Sequence, residues 1–213
     1  MAFSNKYIVI EGLIGIGKTT LAELLAAKHQ ARLVLEQFEE NPFLEKFYAN
    51  PDRYAFQTEL SFLASRYKQQ ETITAPELFS KLTVADYIFE KNRIFAGLTL
   101  SGDELSLYDR IYRIMLEQAA KPDLIIYLQA PIDQVQANIK NRGRSYEQNI
   151  SADYLKNLAT AYKNYLSTYK NGPVAIINCA GIDFLQNTDH FNQIEDIAMN
   201  QSFNGVQQFE LNK

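Results

Sequence analysis

The sequence predicts a single α/β domain with a five-stranded parallel sheet covered by helices on both faces. Two patterns carry that expectation. Short apolar runs recur along the 213 residues, each followed by a longer segment of helical period, as expected of parallel strands joined by crossover helices. The runs also lack polar alternation, the mark of strands buried on both faces. A chain of this length with 46% hydrophobic residues suffices for one sizeable core.

The first strand is read at Tyr7 to Glu11, followed by a helical stripe of Leu21, Leu24 and Leu25. The second and third are Arg32 to Glu36 and Leu82 to Ile88. Between them Phe56, Leu60, Leu63 and Tyr67 fall at i, i+4, i+7 and i+11, one apolar face of a helix. At about 100° per residue, Glu59 and Arg66 flank that face on one side, two turns apart, and Gln57 flanks it on the other. The fourth strand is Leu124 to Gln129, with a helix from Ile132 to Lys140 after it. Ser151 is placed to N-cap a helix carrying Tyr154, Leu155, Leu158, Tyr162, Tyr165 and Leu166. The fifth strand is Val174 to Asn178, and the polar tail 200–213 is expected to be loosely held.

A net charge of −4 lacks the basic excess that binding to polymeric nucleic acid requires. With Cys179 as the lone cysteine, an internal disulfide and a cysteine zinc site are both ruled out. No apolar run approaches membrane-spanning length, and the opening MAFSNKYIVIEG lacks a charged segment ahead of an apolar one. A cytoplasmic chain with no membrane partner is therefore expected.

Gly12-Leu13-Ile14-Gly15-Ile16-Gly17-Lys18-Thr19, followed by Thr20, matches GxxxxGK[ST] between the first strand and the first helix. The glycines let successive N–H groups point at phosphate oxygens, and the helix N-terminus adds positive potential. Lys18 is expected on the terminal phosphates of ATP, facing solvent when no ligand is bound, with the Thr19 hydroxyl on Mg²⁺. A dinucleotide fingerprint does not fit, because Gly17 is followed by Lys18, Thr19 and Thr20 rather than by a third glycine. The pattern predicts nucleotide binding; with no NKxD-type segment for a switch GTPase and too few residues for a motor ATPase, a small P-loop kinase is expected. Such an enzyme needs a mobile basic lid, and 141–149, with Arg142 and Arg144 around Gly143, supplies one. On spacing alone the two arginines equally suit the C-terminal end of a helix dipole.

Four strings then bring a family into view: NPFLEKFY at 41–48, FQTELSFLASRYKQ at 56–69, DYIFEKNRIFA at 86–96 and RGRSYEQ at 142–148. Together they resemble the deoxyribonucleoside kinases, above all the bacterial deoxyguanosine and deoxyadenosine kinases, over most of the chain. The resemblance implies transfer of the ATP γ-phosphate to the 5′-hydroxyl of a purine deoxynucleoside, assisted by Mg²⁺, by a homodimer serving nucleotide salvage. It makes Glu36 the general base and Asp86 a partner of Mg²⁺ and the acceptor hydroxyl. It also puts Tyr48 and Glu147 on the 3′-hydroxyl, Phe95 on the nucleobase, and Asp189-His190-Phe191 on the donor's adenine. Tyr87 stands where the family motif has arginine, with Arg93 a substitute, and Asn138 stands where many relatives carry another arginine.

Counted without gaps from Pro51, Glu59 occupies the position of the family's base-binding glutamine; an alignment shifted by two puts Gln57 there. An ionised Glu59 only accepts hydrogen bonds. Guanine offers it two donors, N1–H and N2, while Arg66 suits O6 and N7. That favours deoxyguanosine, unless Glu59 is protonated and behaves like the amide. Two rival readings are a nucleoside monophosphate kinase, which would recruit Arg53, Arg66 and Arg93 for the acceptor's phosphate, and an ATP-binding regulatory module.

Overall fold

The computed structural model describes residues 6–75 and 80–212. The strands are β1 Lys6–Gly12, β2 Arg32–Val34, β3 Leu82–Ala85, β4 Leu124–Gln129, β5 Val174–Asn178 and β6 Val206–Glu210. They form one parallel sheet of order β2-β3-β1-β4-β5-β6. Eight α-helices accompany them among the described residues: α1 Lys18–His29, α2 Leu44–Ala49, α3 Pro51–Thr74, α4 Lys91–Thr99, α5 Gly102–Leu116, α6 Ile132–Arg142, α7 Ala152–Ser167 and α8 Thr188–Met199.

The sheet has six strands rather than five, and the extra one lies in the tail expected to be loose. β6 pairs with β5 from Val174↔Val206 to Asn178↔Glu210. It reads poorly as a strand because it is an edge element, mostly exposed, and its Gln207, Gln208 and Glu210 can face water. The second and third strands are shorter than the apolar runs suggested. Asp86 N–H still reaches the Val34 carbonyl at 3.4 Å, and beyond it backbone donors turn to side chains: Glu36 N–H reaches Asp86 Oδ1 at 2.8 Å and Ile88 N–H reaches Glu11 Oε1 at 3.0 Å. This early end of the ladders frees Glu36 and Asp86 for the crevice.

The central strands are fully covered. Ile8, Val9, Ile10, Ile125, Ile126 and Leu128 are fully buried, each contributing about 1.5–3 kcal/mol by leaving water. On α7 the predicted stripe packs as expected, with Leu155, Leu158, Tyr162 and Leu166 buried and the Ser151 hydroxyl accepting Tyr154 N–H at 3.1 Å. A second apolar cluster joins Ala55 and Leu63 of α3 to Ala96 of α4 and Tyr108 and Tyr112 of α5. It holds α3 rigidly beside the sheet, so that the polar flank of α3 borders the crevice at the strand C-terminal ends, where open α/β sheets bind ligands.

Candidate active site

The loop after β1 is a phosphate cradle built from conformations that exclude side chains. Gly15 and Gly17 have φ of +82° and +99°, values favoured by glycine alone. A Cβ on Gly15 would lie 2.6 Å from Ile139 Cγ1, and one on Gly17 would lie 2.8 Å from Phe184 Cζ. The loop is thus wedged between α6 and the segment after β5. Lys18 does not face solvent as expected: its Nζ donates to the carbonyls of Gly12 and Leu13, both at 2.9 Å. Burial, then the charge of Lys91, lowers its pKa to about 8. An ammonium held this way is poised to exchange carbonyls for phosphate oxygens.

Asp86 ties this loop to the second strand. Its Oδ2 accepts the Thr19 hydroxyl at 2.5 Å, and its Oδ1 accepts Glu36 N–H at 2.8 Å. Glu36 is nearly enclosed by cations. Arg66 directs Nε (2.8 Å) and Nη2 at Oε1, and Lys91 Nζ lies 2.6 Å from Oε2. Burial works against the charge, but Arg66 and then Lys91 outweigh it and hold this carboxyl well below the usual range. Arg66 also donates to Asn92 Oδ1, so the guanidinium's hydrogen bonds go to Glu36 and Asn92. Of the two basic residues after Asp86, Lys91 is the one that reaches Glu36, while Arg93 pairs with Asp109 at 2.6 Å on a partly exposed face.

Glu36, Asp86, Lys91 and Arg66 line one pocket together with Phe95, Tyr48 and Glu59. Glu59 is 3% exposed. Its Oε1 accepts the Thr99 hydroxyl at 3.0 Å, and Oε2 is buried with no partner. Burial raises this carboxyl to about 7, against the lowering influence of Arg66 and Thr99. Gln57 is exposed and lines no part of the pocket. Of the two alternatives, Glu59 is the one that lines the pocket, on the flank of α3 opposite Gln57.

The lid closes the far wall. Arg142 ends α6, Arg144 follows, and Ser145–Glu147 form a 3-10 turn. Glu147, 5% exposed, accepts from Arg142 and, at 3.5 Å, from Arg144. The Arg144 guanidinium sits 3.9 Å from the centre of the Phe38 ring, and Tyr146 stacks on Tyr48 at 5.7 Å. Burial, reinforced by Glu147, raises the Tyr48 phenol well above its ordinary pKa, keeping it a neutral donor.

A second, open groove runs from the P-loop past Gln134, Asn138 and Asn141 to Gly181–Leu185. Asp189-His190-Phe191 does not form this wall, because it lies inside α8, with His190 and Phe191 buried. The segment after β5 does, and His190 braces it through Nδ1, 3.1 Å from Asp183 N. Gly15, Lys18, Thr19, Arg142 and Arg144 border both the groove and the pocket. Three cations, Lys18, Arg142 and Arg144, thus stand on the boundary between the two cavities.

Lys91 and Asn92 were given no role from the sequence, although both lie in DYIFEKNRIFA at 86–96. The available signal was their place in the first turn of α4, close after Asp86.

Residues 8–202 match the family model described as deoxynucleoside kinase. The chain is 37% identical to a deoxyguanosine kinase of Bacillus subtilis over 194 residues, covering 88% of this chain and 93% of that protein. It is 31% identical to a deoxyadenosine/deoxycytidine kinase of the same organism, covering 90% and 91%. In fold it is similar to the deoxyadenosine kinase of M. mycoides solved with bound dATP, with a TM-score of 0.77 over 91% of this chain and 98% of that one at 23% identity. A P-loop, a cation-ringed carboxylate and a match over nearly the whole length agree: this chain is a kinase and belongs to the deoxynucleoside kinase family.

Proposed function

We propose that the protein transfers the γ-phosphate of ATP to the 5′-hydroxyl of a purine deoxynucleoside, deoxyguanosine or deoxyadenosine, in nucleotide salvage. The observation that carries this reading is the shared boundary of the two cavities, where Lys18, Thr19, Arg142 and Arg144 stand between groove and pocket. ATP fits the groove with its phosphates against the loop from Gly12 to Thr20, on the N–H groups the loop leaves open; those of Gly12 and Ile16 are taken by Glu11 Oε2 and the Leu13 carbonyl. The deoxynucleoside fits the pocket with its 5′-oxygen toward Glu36.

Transfer of a phosphoryl group is governed by position and by the charge that meets its oxygens. Lys18, Arg142 and Arg144 supply that charge, and the buried pocket strengthens it by excluding water. Glu36 accepts the hydrogen bond of the 5′-hydroxyl and orients it. Held ionised by Arg66 and Lys91, it takes the proton late, as the new O–P bond makes that proton acidic. Tyr48 and Glu147 hold the 3′-hydroxyl, Phe95 stacks on the base and Glu59 reads its edge. The Thr19 hydroxyl and Asp86 carboxylate suit Mg²⁺, which keeps several waters and takes only one or two protein oxygens beside phosphates; when bound it supplies charge to the phosphates.

An acceptor that already carries a phosphate finds little support here. Arg66 is spent on Glu36 and Asn92, Arg93 on Asp109, and Arg53 is exposed beside Tyr54. Exposed Leu98, Leu107 and Ile114 leave an apolar face on α4 and α5, which supports a homodimer. No helix among the described residues is long and apolar enough to cross a membrane, which agrees with a cytoplasmic setting. Incubation with ATP and Mg²⁺ against a panel of nucleosides and monophosphates tests the proposal. Formation of deoxynucleoside 5′-monophosphates from the purines is expected. Preference for monophosphate acceptors, or ATP binding with no transfer to any acceptor, overturns it.

A further inference from the structure

We propose that Glu59 reads both purines in one subsite, guanine as the carboxylate and adenine as the carboxylic acid. The inference rests on the pocket being the acceptor site. Its starting point is an incomplete hydrogen-bond set: Oε1 takes the Thr99 hydroxyl, while Oε2, buried at the pocket wall, has no partner among the described residues. A buried polar atom left unpaired costs about 1–3 kcal/mol. No other unpartnered buried side-chain oxygen found among the described residues lines this pocket. Arg66, the neighbour on the same flank of α3, is committed to Glu36 and Asn92. The bound base is left to complete Glu59.

What it completes depends on the proton. A carboxylate only accepts, and the N1–H and N2 amino group of guanine are two adjacent donors. Adenine presents one donor, N6, beside an acceptor, N1. Against a carboxylate N1 faces a lone pair; against a carboxylic acid it receives O–H while N6 donates to the carbonyl oxygen. Thr99 already donates to Oε1, so that oxygen is the natural carbonyl and Oε2 carries the proton. Adenine then meets Oε2–H with N1.

The surroundings keep both forms accessible. Arg66 on α3, Lys91 and Thr99 on α4, Glu36 beyond β2, Tyr48 on α2, Tyr108 on α5 and Tyr154 on α7 are the charged, titratable and hydrogen-bonding groups around the carboxyl. Burial and Glu36 favour the acid; Arg66, Thr99 and Lys91 favour the anion. The balance lies at about 7, where both forms are populated. A glutamine has no such choice, since its amide donates and accepts at every pH.

The test is the ratio of kcat/KM for deoxyguanosine to that for deoxyadenosine, measured from about pH 6 to about pH 8, below the ionisation of guanine N1. The same ratio of affinities is measured by calorimetry without ATP, which removes pH effects on the chemical step. In the wild type both ratios rise by about tenfold or more over this span. In Glu59→Gln they are flat. In Thr99→Val the rise moves to higher pH, because a hydrogen bond to the charged form has been removed. A flat wild-type ratio with both nucleosides phosphorylated overturns this inference alone, as does a slope that survives Glu59→Gln. Failure to phosphorylate or bind either nucleoside at any pH overturns the acceptor-site reading and this inference with it.

Discussion

Arg66 holds Glu36 with two guanidinium nitrogens on one carboxylate oxygen, Oε1, which leaves Oε2 to Lys91. Arg66 is 3% exposed, and a third nitrogen is on Asn92. Removing one member of a buried ion pair strands the other charge. Arg66→Leu should therefore cost about 3–5 kcal/mol in denaturant unfolding and lower kcat for every acceptor. With the guanidinium bonded to Glu36 and Asn92, the preference between deoxyguanosine and deoxyadenosine should stay the same. A selective loss of deoxyguanosine turnover would return Arg66 to the base edge.

Glu36→Gln keeps the shape and a hydrogen-bond acceptor but cannot take the 5′-hydroxyl proton. It should cut kcat by about 10²-fold or more with little change in deoxynucleoside affinity. Steady-state kinetics beside calorimetric binding separates the two. A rise in KM at constant kcat would make Glu36 a binding residue and pass the base role to Asp86.

The parts of this site legible in the sequence are those where a short motif or a strand end fixes position. The P-loop is local, and Glu36 and Asp86 follow strands whose C-terminal ends must face the crevice. The flank shared by Glu59 and Arg66, opposite Gln57, was legible from helical spacing. The ion pair of Arg66 with Glu36 was not, because its long side chain reaches past the helix to a carboxylate that only sheet packing brings near. Lys91 and Arg93 show a similar limit. Two residues apart on a helix they point about 200° from one another, so only one can meet Glu36. Composition cannot say which. β6 was missed because an edge strand tolerates the polar residues that elsewhere mark a tail.

The lid arginines should matter for chemistry and little for folding. Arg142 and Arg144 are partly exposed and tied mainly to Glu147, so each alanine variant should unfold within about 1 kcal/mol of wild type. Each should nevertheless lower kcat about tenfold or more at saturating ATP, by removing donors from the transferring phosphoryl group. Unchanged rates in both variants would leave the lid as a surface turn. Glu147→Gln should raise the KM for the deoxynucleoside in steady-state kinetics, because it loosens both arginines and weakens the 3′-hydroxyl contact.

Lys18 gives a prediction in which activity and stability move in opposite directions. Its ammonium is held on the carbonyls of Gly12 and Leu13, with a pKa of about 8 in place of 10.5. Between those values the unfolded chain binds the proton more tightly than the folded one, so this residue makes stability rise with pH there; below about 8 both states carry the charge and the full cost of burying it remains. Lys18→Met removes that cost. The variant should therefore be inactive, yet melt at or above the wild-type temperature at pH 7, and its advantage should shrink as pH approaches 10. Melting curves at both pH values, beside an assay of phosphoryl transfer, decide it. A variant that melts well below wild type at pH 7 would mean that the two carbonyl contacts outweigh the buried charge, and near-normal turnover would remove Lys18 from the chemistry.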